Sequence, residues 1–263
     1  MQLLNIEPNQ KPRKPITALT ALMASATLLL AGCSAGSSET APSASAPSAD
    51  AAELQQGGTL VIGAEQEPDC MDWIASCAGS IWGSYMAQIT TTPFVFNVRK
   101  NGEDWVPEIS GIMASEPEVS AGPPQTVTYK FNPDAVWSDG TPITSADLKY
   151  TALQIRDGED ILDKTGYSAI EDIATPDAQT AVVTFNTVYA GWKTLFSGSY
   201  GLLPSHLLEG KDRAALMVDG YTWSGGPWVI ESWKKGESIT LIPNYLNLKL
   251  TKSQRRLAMP TPC

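Results

Sequence analysis

The stretch that most limits the fold is TVTYKFNPDAVWSDGTPITSADLKYTALQIRDG, residues 126–158. Its first six residues alternate apolar and polar, as a half-buried strand does. Two turns follow, with Asp139-Gly140 and Pro142 breaking the chain. Thr144 is placed to cap a helix, and Asp147, three residues on, is its capping-box partner. Leu148, Thr151, Ala152 and Ile155 then recur on one face, and Gly158 can close the helix. A strand that feeds a capped amphipathic helix through tight turns demands a body mixing α and β elements.

The rest of the chain keeps that mixture. TLVI (59–62), after a glycine pair, reads as a first strand running into the polar loop AEQEPD. GSIWGSYMAQIT (79–90) places Ile81, Tyr85 and Ile89 at helical spacing, with Met86 beside that face. FVFNVRKNGEDWVPEIS reads as a hairpin turning at Asn101-Gly102. TAVVTF (180–185) is another strand, AGWKTLFSG a short helix, and GLLPSHLLEG turns at Pro204. GGPWVIESWKKGESITLI predicts a hairpin with strands over 228–233 and 238–242. Strict βαβ alternation is absent, so the expected class is α/β with a mixed sheet, α+β-like, and not a barrel.

The N-terminus reads as an address. KPRK (11–14) is a positive region, and ITALTALMASATLLL (16–30) is an apolar run of signal-peptide length, short for a membrane span. LAGC ends on Cys33 and is similar to a bacterial lipobox, so residues 1–32 are expected to be a lipoprotein signal peptide and Cys33 the lipidated residue. An ordinary secretory signal is the alternative. Several acyl chains on one cysteine anchor stably, since each buried methylene contributes about 0.8 kcal/mol. Residues 33–53, rich in Ser, Ala and Pro, have too little apolar surface to offset their ordering entropy, and read as a tether. The body is then expected over 54–245.

Net charge is −10, unevenly spread. Residues 33–245 carry 27 acids against 11 bases, whereas Lys249, Lys252, Arg255 and Arg256 follow with no acid. That balance lacks the basic footprint of a nucleic-acid binder.

Several pieces, in order, resemble the extracellular solute-binding proteins of peptide/nickel-type ABC importers, solute-binding family 5. WSDGTPITSADLKYT carries the likeness through Trp137, Asp139, Gly140, Pro142, Thr144 and Asp147. GGPWVIESWKKGESITLIPN carries it through Gly226 and Pro227, and LLPSHLL and GGTLVIGAEQEP add to it. The resemblance covers about Gly57 to Asn244. It implies a periplasmic-binding-protein type II-like fold, hinged and two-lobed, closing on its ligand. It also implies a small solute, peptide foremost, handed to an ABC permease and its ATPase, on the outer face of the cytoplasmic membrane, with no cofactor. After Tyr245 the likeness stops. Residues 246–263 are therefore expected to be an aberrant tail of a truncated or frameshifted chain holding the first lobe only, with weak or no solute binding. The alternative is a natural basic tail that touches a membrane or partner.

Candidate functional residues are few. Cys70 and Cys77 can pair in an oxidising compartment. A metal pair and free thiols remain alternatives, although no His accompanies them and the interval is not a recognised zinc spacing. In the resembled family the loop after the first strand lies on the cleft, which makes Glu65, Gln66 and Glu67 ligand candidates by backbone pairing or charge. A solvated acidic loop is the plain alternative. Trp82 and Tyr85 are candidates for the same cleft, with core packing as their alternative. Trp137, Asp139, Gly140, Asp147 and Pro227 are expected to serve turns, a cap and a bend. His206, the single histidine, makes neither a metal cluster nor a triad. Cys263 is given no role. Gly-x-Ser-x-Gly, His-Glu-x-x-His and a phosphate loop are all missing, and no motif sets two carboxylates together, so no enzyme and no catalytic residue are expected. A structural or adhesive surface lipoprotein is the other class, and it would be expected to show repeats.

Overall fold

The computed structural model describes residues 58–120, 122–198 and 200–247. The leader, Cys33, the tether before residue 58, and Cys263 with the tail from residue 248 lie outside them. Among the described residues no helix is long and apolar enough to cross a membrane.

The expected first strand is not formed. Residues 58–63 pair with nothing in a sheet, and Leu60 and Val61 are 82% and 88% exposed. A strand exists only through its partner's hydrogen bonds, and no described segment supplies them. After the Cys70–Cys77 loop come α1 (Ile81–Gly83), a π-helical stretch (Ser84–Gln88) and α2 (Ile89–Thr91), running on as one helical segment. The predicted helix is present, but its predicted apolar face points outward. Ile81, Tyr85 and Ile89 are exposed, while Gly83, Ala87, Gln88 and Thr91 are buried. Small residues win that face because the neighbour is close: a Cβ on Gly83 would lie 3.0 Å from the Pro68 ring. Thr90, Thr91 and Thr92 bond their hydroxyls back to the carbonyls of Met86, Ala87 and Gln88. Such back-bonding disturbs regular helix and accompanies the π geometry.

Strands β1 (Phe96–Asn101) and β2 (Asp104–Ile109) make the first hairpin, with Gly102-Glu103 between the paired Asn101 and Asp104. A second sheet contains β3 (Glu118–Ser120), β4 (Gln125–Lys130), β5 (Ile170–Asp177) and β6 (Thr180–Phe185), in antiparallel order β3-β4-β6-β5. β4 and β6 alternate as their sequences require, burying Val127 and Tyr129, and Ala181, Val183 and Phe185. Helix α3 (Ser145–Asp157) packs on β5 and β6 and buries Leu148, Ala152 and Ile155 in the same core. Leu148 and Ile155 each contribute roughly 1.5–3 kcal/mol by leaving water. The Thr144–Asp147 capping box is formed, and Gly158 ends the helix in an extended conformation rather than a left-handed one.

The chain then returns along its own entry. Val95 N–H donates to Phe196 O and Leu202 N–H to Pro93 O, both at 2.8 Å, and Phe96 bridges Ser197 in parallel. Helices α4 (Ser205–Leu208) and α5 (Arg213–Met217) follow, then the hairpin β7 (Trp228–Lys234) and β8 (Ser238–Pro243). Among the described residues every named strand pair is antiparallel, the isolated Phe96–Ser197 bridge aside, which is the α+β-like form of the expected class.

Candidate functional site

The 137–147 segment does more than turn and cap. Trp137 is fully buried, and its ring meets that of Trp223 edge to face, with centroids 5.6 Å apart. Asp147 is 1% exposed, and its carboxylate accepts from both sides. Oδ2 takes Thr144 N–H at 2.8 Å and the Trp137 indole at 3.3 Å, and Oδ1 takes the Ser205 N–H and hydroxyl at 2.8 and 2.7 Å. One carboxylate thus binds the helix start to the returning chain. Gly140 turns at φ 88°, a conformation open to glycine, and Pro142 bridges Val136. Beside it His206 Nε2 lies 2.9 Å from Asp139 Oδ2. Burial pushes the Asp139 carboxyl up, but hydrogen bonds from His206 and Thr141 outweigh it and hold it below the ordinary range.

The neighbouring clasp is Ser138 with Ser224. Ser138 N–H donates to Ser224 O at 2.7 Å, and Ser224 N–H to Ser138 Oγ at 2.9 Å. Gly225 and Gly226 both donate their N–H groups to Thr91 O. Gly226 has to be glycine, since a Cβ there would lie 2.3 Å from Thr90 O. The exposed Pro227 accepts Asn244 N–H at 2.8 Å and so leads into β7.

These clasps fix the walls of an open cleft of about 480 Å³. Leu207 and Leu208 of α4, Leu216 of α5, then Tyr221, Trp223, and Ile230 and Trp233 of β7 form its apolar lining, with Lys211, Asp219 and Glu231 adding polar groups. Tyr221 and Trp223 stack with centroids 4.0 Å apart and planes 15° from parallel. Burial pushes the Tyr221 phenol far up, although it is hydrogen-bonded to Thr91 and Trp73, so it stays neutral. Lys235 sits 4.8 Å over the Trp233 ring and pairs with Asp219 at 2.6 Å. Aromatic walls with a charged margin suit binding of an amphipathic solute by burial and orientation.

None of the five residues expected to meet ligand lines this cleft. Glu67 reaches its margin: its carboxylate accepts the Trp233 indole at 3.2 Å and Gly236 N–H at 2.7 Å. Glu65 and Gln66 are exposed on the adjoining loop. Trp82 is half-buried, and Tyr85 is 61% exposed, which rules out core packing for it. Cys70 and Cys77 form a disulfide, with Cα atoms 5.6 Å apart. The lining residues escaped sequence reading, although a signal was present: three of the eight tryptophans fall within residues 223–233.

The family described as bacterial extracellular solute-binding proteins, family 5 Middle, matches residues 108–246. The chain belongs to solute-binding family 5. The oligopeptide-binding protein OppA of Mycobacterium tuberculosis (strain ATCC 25618 / H37Rv) is 31% identical over 224 residues, covering 78% of this chain and 37% of that relative. The chain therefore spans about 37% of the length of that curated relative. Among solved structures, the periplasmic EDTA-binding protein EppA is 28% identical with a TM-score of 0.60, covering 69% of this chain and 35% of its own. The oligopeptide-binding protein AppA from Bacillus subtilis, in complex with a nonapeptide, has a TM-score of 0.63 at 19% identity, covering 74% of this chain and 38% of its own, and speaks to the fold alone. The fold is that of family 5, periplasmic-binding-protein type II-like, and the partial overlay fits a first lobe. Family 5 relatives are binding proteins, not enzymes, which sets aside the hydrolase reading.

Proposed function

We propose that the chain is the solute-capturing component of an ABC importer, taking a peptide or similar small solute outside the cell and passing it to a permease with its ATPase. The cleft walled by Tyr221, Trp223 and Trp233 carries this reading, in a chain whose relative is named as oligopeptide-binding. Glu65, Gln66 and the Glu67-pinned loop at its margin contribute polar contacts to the bound solute. Residues 1–32 act as the leader, Cys33 as the lipid-bearing residue, 33–53 as the tether and 54–245 as the solute-binding lobe. Tetraalanine titrated into the full chain by calorimetry tests the proposal. Weak saturable binding is expected, looser than micromolar for the first lobe alone and weakened about tenfold or more by Trp233→Ala, which removes an aromatic wall residue. Heats of dilution alone, up to millimolar peptide, refute it.

A further inference from the structure

The Cys70–Cys77 loop is a wedge in the core. Met71, Asp72, Trp73 and Ile74 between the two cysteines are all 3% exposed or less. From this wedge three contacts reach the back of the cleft. Met71 N–H donates to Met217 O at 3.1 Å, at the end of α5. Asp72 Oδ2 lies 3.1 Å from Arg213 Nη2, at the start of α5. The Trp73 indole donates to the Tyr221 hydroxyl. Leu216 of α5 and Tyr221 are themselves cleft lining. A fourth contact, Leu162 N–H to Ile74 O at 2.9 Å, holds the loop from the other side.

The ion pair does not hold this arrangement by itself. Asp72 is 1% exposed and the Arg213 side chain 11%, and Arg213 Nε and Nη1 have no hydrogen-bond partner among the described residues. Desolvation of a buried pair offsets much of its attraction. Burial pushes the Asp72 carboxyl up even with Arg213 beside it. Covalent closure between Cys70 and Cys77 constrains the loop that carries Asp72 independently of that pair.

We propose that the Cys70–Cys77 disulfide is a thiol-sensitive latch on the cleft: once it is opened by a thiol reductant, the wedge releases α5 and Tyr221, and the cleft loses its back wall. This rests on the reading that the cleft receives the solute. Cys70 is 2% exposed, whereas Cys77 is only partly buried, so the attacked sulfur is that of Cys77. A thiolate bonds to Cys77 Sγ, the S–S bond breaks, and Cys70 leaves as a thiolate that takes a proton from water. A second thiolate then resolves the mixed disulfide. The protein gains two thiols and the reductant is oxidised to its own disulfide, a two-electron exchange.

Amide hydrogen exchange on the full chain, with and without dithiothreitol, tests the latch. Residues 213–223 are expected to exchange on the order of 50-fold faster after reduction, the value that chain entropy assigns to a closed loop of about eight residues. Strands β4 and β6 keep their rates. The double variant Cys70→Ala/Cys77→Ala shows the fast rate without reductant and no response to it. Unchanged exchange at 213–223 in fully reduced protein overturns the latch. So does equal acceleration everywhere, because the disulfide then holds the whole fold. Tetraalanine binding that is present in the oxidised chain and lost on reduction supports the coupling. Binding in neither state refutes the solute reading, while the exchange result still decides the latch.

Discussion

Replacing Asp147 by asparagine probes the join between the capped helix and the returning chain. The carboxylate accepts four hydrogen bonds in a site 1% exposed. Asparagine keeps one acceptor oxygen. If that oxygen stays on Ser205, the new NH₂ group faces the Thr144 N–H and the Trp137 indole, donor against donor. Rotating the amide sets its NH₂ group against the Ser205 N–H, while the Ser205 hydroxyl can turn to accept from it. At least one bond to a charged acceptor, worth about 1.5–3 kcal/mol, is lost outright and the others become bonds to a neutral amide, with the 3.3 Å indole contact at the weak end. The expected cost is therefore about 3 kcal/mol, or a melting temperature lower by about 6–12 °C for a body of this size. Urea unfolding followed by far-UV circular dichroism measures it, with the m-value checked for constancy. A loss below about 1 kcal/mol at unchanged m would refute the reasoning.

Two further outcomes follow from the same clasps. Gly226→Ala drives a methyl onto Thr90 O, at 2.3 Å before relaxation. Backbone must move, and a loss of about 1–3 kcal/mol is expected in the same urea assay. The stability gap between wild type and Asp139→Asn should depend on pH. The Asp139 carboxyl is held below its ordinary value of 3.8 in the folded protein. The unfolded chain therefore binds the proton first, so this contribution is full above about pH 5 and fades as pH falls through the lower folded value. A gap that grows on acidification contradicts that sign. Its size stays below about 1 kcal/mol, since the pair is partly solvated.

What could be read from the sequence was local. The Thr144–Asp147 cap, the alternation of 180–185 and both hairpins are specified within a few residues of chain, and the structure has them. The 59–62 strand failed because a β-rich run names a candidate and only a partner makes a sheet. The face of the 81–91 helical segment is inverted because Pro68 lies close against Gly83, an approach that apolar spacing does not encode. The cleft was hidden for a different reason. Its walls come from residues 207–233, and it takes Ser138, Thr91 and Glu67, distant in sequence, to set them in place. The motif residues were visible as turn and cap chemistry, but the acceptance of Ser205 by Asp147 depends on a contact 58 residues away.

The paired crossings at Pro93–Phe96 and Phe196–Leu202 mean that the intervening chain is entered and left at one place. Phe96 and Ser197 are neighbours in space. Everything between them, the first hairpin, the four-stranded sheet and α3, hangs from the remainder as an insertion whose two ends meet. The outer turns of such a segment can lengthen or shrink while the closing joint and the clasps of Trp137, Ser138 and Asp147 stay the same. The cleft residues at 207–233 lie outside it, yet Trp137 and Ser138 inside it clasp Trp223 and Ser224, so a change at that loop is felt in the cleft wall.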